Sequence, residues 1–74
     1  MRKVNVVRAD FYSNGKIVPL GITDNLGNTK YIDRILQSER QFTSKGSVAF
    51  RFVCTTKEEK FILLFKNGQW ILED

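Results

Sequence analysis

The chain has 74 residues, 42% hydrophobic and 27% charged, with a net charge of +4, no histidine and one cysteine. A chain of this length is a single domain, residues 1–74, with a thin core that buries roughly 60% of the surface its unfolded form exposes. It is too apolar for a disordered tail, and its lone cysteine excludes an internal disulfide. With no apolar run of membrane-span length and no signal-like stretch after Met1, a cytoplasmic protein without membrane association is expected.

Ser13-Asn14-Gly15-Lys16 stands between two alternating apolar runs, the strongest short-range sign of a hairpin. A two-residue turn there sets Phe11 opposite Val18, Ala9 opposite Leu20 and Val7 opposite Ile22, all on one apolar face. The other face then carries Arg8, Asp10, Tyr12, Ile17 and Pro19. Pro19 has no amide hydrogen, so a bulge or a break in pairing is expected on the side of its strand that faces away from the first. Asp24-Asn25-Leu26-Gly27-Asn28 reads as a further turn.

Thr29–Gln37 is ambiguous. As a strand it must bring one charge of the Ile32-Asp33-Arg34 triplet onto the core face. As a helix, Ile32, Ile35 and Leu36 form one apolar stripe that Asn28 or Thr29 caps, giving an α+β fold with a short helix at 29–40. The strand-rich context and tight turns on either side favour the strand.

Glu39–Gly46 reads as a polar loop broken only by Phe42. Ser47–Thr55 alternates strictly, with Val48, Phe50, Phe52 and Cys54 on one face. Thr56–Glu59 is a polar turn. Asn67-Gly68 then sets Phe65 opposite Trp70 and Leu63 opposite Leu72, with Phe61 on the same face. Ile62, Leu64 and Ile71 line the reverse, so this hairpin is apolar on both sides, while Lys60 and Lys66 flank it as gatekeepers. The expected fold is all-β: a six-stranded antiparallel meander forming a small closed or partly open barrel.

The strings Asn14-Gly15-Lys16-Ile17-Val18-Pro19-Leu20, Tyr31-Ile32-Asp33-Arg34-Ile35-Leu36, Phe50-Arg51-Phe52-Val53-Cys54 and Gly68-Gln69-Trp70 resemble a family of uncharacterised small all-β proteins from Gram-positive bacteria. The likeness runs from about Phe11 to the C-terminus, in turn and strand patterns rather than site chemistry. It implies a compact β fold with the Ile-Asp-Arg segment extended, and it implies no activity. The loop around Gly46 departs from the pattern in being poorer in glycine.

The residues speak against an enzyme. Without histidine the usual general base and most triads are missing, and one cysteine builds no zinc site, so no metal or cofactor is expected. The adjacent carboxylates Glu58-Glu59 and Glu73-Asp74 point apart if extended. Cys54, on the face of Phe50 and Phe52, reads as a small buried hydrophobe rather than a nucleophile. Phe61, Phe65 and Trp70 read as core before they read as a stacking platform, leaving Tyr12 and Tyr31 as candidate exposed aromatics.

Two binding readings remain. If Ser38 faces Ser47, Arg34 lies opposite Arg51, with Arg40 and Lys45 at the loop end of the same ladder. Like charges so placed call for an anion between them, and a nucleic acid or another polyanion would supply it. A shifted register, or neutralisation by Asp10, Asp33 or Glu39, would remove that site. The alternative is a protein-interaction domain or homodimer that uses Ile62, Leu64 and Ile71, or a free strand edge.

Overall fold

The computed structural model describes residues 2–3, 6–24 and 26–73, with side chains from residue 6 onward, and all its regular elements are strands. They are β1 (Arg2–Lys3), β2 (Val6–Phe11), β3 (Ile17–Thr23), β4 (Thr29–Tyr31), β5 (Arg34–Phe42), β6 (Val48–Thr55), β7 (Lys60–Lys66) and β8 (Gln69–Glu73). Met1, the Asn25 of the expected turn and the Asp74 of the carboxylate pair lie outside the described residues. Among the described residues no helix forms, so none is long and apolar enough to cross a membrane.

The chain is therefore all-β, but the six-stranded barrel is corrected. Two antiparallel sheets form, ordered β1-β8-β7-β6-β5 and β2-β3-β4, with no closed barrel among the described residues. Beside the two-residue β1 there are seven strands rather than six, because the third expected strand divides at Ile32-Asp33. The Ile32 N–H donates to the Leu20 carbonyl at 2.9 Å, in one sheet, and the Asp33 N–H donates to the Thr55 carbonyl at 2.8 Å, in the other. The chain thus changes sheets between neighbouring residues. This corner resolves the conflict over Thr29–Gln37 without a helix. Ile32 and Ile35 both pack against the core while Asp33 and Arg34 both stay exposed.

Three turns share one chemistry. Tyr12–Lys16, Asp24–Asn28 and Thr43–Ser47 each close with the first amide donating to the last carbonyl, at 2.8, 3.0 and 2.8 Å. Each carries a glycine at positive φ in its fourth position: Gly15 at 91°, Gly27 at 86° and Gly46 at 84°. These are three-residue hairpin loops, a tight turn followed by a left-handed residue. The two-residue reading of Asn14-Gly15 is therefore corrected. Asn14 does not take positive φ; its Oδ1 accepts the Lys16 N–H at 3.0 Å instead.

The extra loop residue shifts the register by one. Phe11 faces Ile17, and Ala9 faces Pro19, until a bulge at Leu20 restores the expected Val7–Ile22 pair. Ile17 and Pro19, not Val18 and Leu20, are turned inward: Ile17 packs against the core, Pro19 is fully buried and Leu20 is exposed. Asn67-Gly68 behaves as expected. Both residues take positive φ, 52° and 74°, and the pairs Phe65–Trp70 and Leu63–Leu72 follow.

The core lies between the sheets. Phe52, Cys54 and Leu63 are buried, and Val7, Ile17, Ile22, Ile32, Ile35 and Leu72 close over them together with the aromatic residues. Trp70 packs on Phe65 and Phe52 with ring centroids 4.7 and 6.0 Å away, and Phe11 meets Phe65 edge-on at 5.7 Å. Trp70, Phe65 and Phe61 are thus core supports, as their face implied.

Candidate functional site

The four basic residues read from the sequence do not form one ladder. The strand β5 runs through the expected loop to Phe42 and turns only at Thr43–Ser47, so Ser38 faces Phe52 rather than Ser47, and a bulge at Leu36 shifts the pairing of Ile35 and Arg34 by one residue. Arg34 lies opposite Thr55 and Arg51 opposite Glu39. The Arg34–Arg51 pair that a Ser38–Ser47 register would make is absent, and the alternative of a shifted register with Glu39 neutralising Arg51 is what forms. Arg51 is instead neutralised on the outer face, 3.5 Å from Glu39 and 3.6 Å from Glu73. Arg40 alternates to the inner face opposite Phe50, and Lys45 sits in the turn just beyond β5.

Arg40 marks a cleft. A cavity of about 500 Å³ opens between the tip of the β2–β3 hairpin and the middle of β5, within the range of ligand sites. Asn14, Lys16, Ile17 and Val18 line one wall; Ser38, Arg40, Phe50 and Phe52 line the other. The guanidinium carbon of Arg40 stands 5.7 Å over the centroid of Phe50, a cation–π stack that holds the charge at the mouth.

The cleft exists because two strand edges fail to zip. Hydrogen-bonded and non-bonded pairs alternate along an antiparallel ladder. Counting from the bonded Thr43–Ser47 pair, Ser38, Arg40 and Phe42 turn their backbone groups away from β6 to the free edge of β5. Counting from the bonded Tyr12–Lys16 pair, Ile17 and Pro19 turn theirs away from β2. Pro19 has no donor there, and β4 pairs with β3 only along Gly21–Thr23. The break in pairing expected of Pro19 is found on that side.

Charge is distributed unevenly along the molecule. At the hairpin-tip end, Lys16, Arg40, Lys45 and Lys66 make no salt bridge among the described residues. At the far end, Lys30 of β4 bonds Glu59 of the Thr56–Glu59 turn at 2.7 Å. That hydrogen bond, and the attraction of the carboxylate, raise the Lys30 pKa above its ordinary value.

The second predicted surface is placed by register rather than by a cavity. Ile62 pairs with Val53, and Leu64 with Arg51 and Ile71, so Ile62, Leu64 and Ile71 share the outer face of the larger sheet. All three are half-buried. Lys16, Phe42 and Phe50 belong to the tip end and were not singled out by the sequence. No local pattern marks Lys16, because its place depends on a hairpin tip reaching across to β5. No protein-family model matches the chain, and no curated protein or solved structure matches it.

Proposed function

We propose that the domain is a non-catalytic binding module that takes the phosphate groups of a polyanion at the basic hairpin-tip end. The observation that carries this reading is Arg40, stacked on Phe50 at the cleft and without a carboxylate partner among the described residues. Lys16 on the facing wall and Lys45 in the adjoining turn extend the same sign of charge. The one acidic residue at the cleft, Glu39, is engaged by Arg51 on the other face of its strand. Cations held around a concave site focus the field on an anionic ligand.

Affinity for a labelled oligonucleotide, followed by fluorescence anisotropy, is expected to fall steeply between about 50 and 200 mM salt, as counterion release requires. Arg40→Gln should weaken binding and flatten the logarithmic salt slope by about 0.7, the share of one phosphate contact on a single strand. No binding to oligonucleotide or polyphosphate at low salt refutes the reading.

A second reading is supported by the outer face of the larger sheet, where Val53, Ile62, Leu64 and Ile71 adjoin and the Arg51 side chain reaches Glu39 and Glu73. Such a face suits a homodimer or a protein partner. Sedimentation over a wide concentration range separates the homodimer: a dimer that Leu64→Lys dissociates supports it, and a monomer throughout removes it.

A further inference from the structure

We infer that the ligand of the cleft is single-stranded nucleic acid, with a base stacked on Phe42 and its phosphates on Arg40, Lys16 and Lys45; this rests on the polyanion reading above. Phe42 is 71% exposed, the most exposed aromatic side chain among the described residues. It is not stranded on a loop. It is the last residue of β5 and lies on the same face as Arg40, two residues along, or about 7 Å. Across the ladder, Phe42 faces Val48 and Arg40 faces Phe50. Aromatic and cationic groups therefore alternate on one strip of sheet that runs from the cleft to the molecular edge.

A polyanion without bases gives an exposed phenylalanine nothing to bind. A nucleotide uses both kinds of group at once, because every base has a face to stack and every linkage a phosphate. A duplex keeps its bases in its own stack, so it can reach the rim charges but cannot offer a base to Phe42. The walls of the cleft add what an unpaired base edge needs: the Asn14 amide, the Ser38 hydroxyl and the free backbone groups of Ser38 and Arg40. These groups tolerate any base, so sequence preference should be weak.

The test uses three probes compared at equal phosphate concentration: an oligothymidylate of about 12 nucleotides, within the site sizes of small β modules, the corresponding duplex, and inorganic polyphosphate. The single strand is expected to bind at least about ten-fold tighter than either of the others. Phe42→Ala should weaken the single strand by about five-fold or more, the lower bound for one lost stack, and leave polyphosphate unchanged. Phe42→Tyr should restore binding. Arg40→Gln should weaken both ligands. Because Phe42 is exposed, its loss leaves the core intact, and an unchanged urea midpoint verifies this. If polyphosphate or duplex binds as tightly as the single strand, or if Phe42→Ala changes nothing, the stacking inference is overturned while the polyanion reading stands. If no probe binds, both are overturned.

Discussion

Replacing Leu63 with alanine is expected to remove about 3 kcal/mol of stability, within the range for large-to-small changes at fully packed sites. Leu63 is 0% exposed and sits in the middle of the larger sheet, with Phe52 opposite it on β6 and Leu72 opposite it on β8. Its neighbours are held by two ladders and cannot collapse into the space it leaves. A domain of 74 residues has in total roughly 4–11 kcal/mol to lose, at the usual stability per residue. The melting temperature should therefore fall by about 12–24 °C, at 4–8 °C per kcal/mol for this size. Leu26→Ala is the control: the side chain is 85% exposed in a turn, and its loss should change stability by less than about 0.5 kcal/mol. A urea titration giving Leu63→Ala a loss below about 1 kcal/mol would contradict the core described above.

The second large effect is a loss of stability in alkali that runs through Cys54. Its thiol is buried, and burial disfavours the thiolate, pushing the pKa from 9.0 up to about 11. The folded chain therefore holds its proton where the unfolded chain has already released it. The stabilisation is complete below pH 9 and disappears as pH rises from about 9 to about 11. At 1.36 kcal/mol per unit, the full effect is about 2–3 kcal/mol. Tyrosine and lysine titrate in the same window, so the readout is the difference between the natural chain and Cys54→Ala. Cys54→Ala should start less stable at pH 7, with the gap closing towards pH 11. Parallel stability curves would show that Cys54 does not titrate with unfolding.

The same dipeptide was legible at one end of the chain and misleading at the other. At Asn67-Gly68 both residues take positive φ, so a two-residue turn fixes the register that the apolar pattern demands. At Asn14-Gly15 only the glycine does, and the asparagine side chain is spent on the Lys16 amide. Gly15, Gly27 and Gly46 each stand fourth in a five-residue turn, but the stretch around Gly68 has the same spacing, so the loop length shows only in the pairing. The all-β class was readable because alternation and turn residues agree along most of the chain. The sheet change at Ile32-Asp33 was not, because it depends on Leu20 and Thr55, both distant in sequence.

The candidate site was read only in part for a related reason. Alternation assigns a face but does not say where the cover over that face ends. It placed Arg40 among the basic candidates, yet gave it the wrong partners because the turn comes at Thr43–Ser47, later than the polar run suggests. It made Phe50 a core residue, and Phe50 does pack against the core, yet one side of its ring carries Arg40. Phe42 looked like an interruption in a polar loop because the end of β5 could not be located without its partner strand.

The corner at Ile32-Asp33 has a mechanical meaning for the cleft. From it, β3 runs back from Leu20 to Lys16 and β5 runs forward from Arg34 to Phe42, so the two walls diverge from a common pivot like the arms of tongs. The pivot is held by hydrogen bonds to both sheets, and the arms share no ladder of their own. Among the described residues no backbone pair joins the two arms, so side-chain packing such as Phe11 on Phe65 is what holds the hairpin against the larger sheet at the tip end.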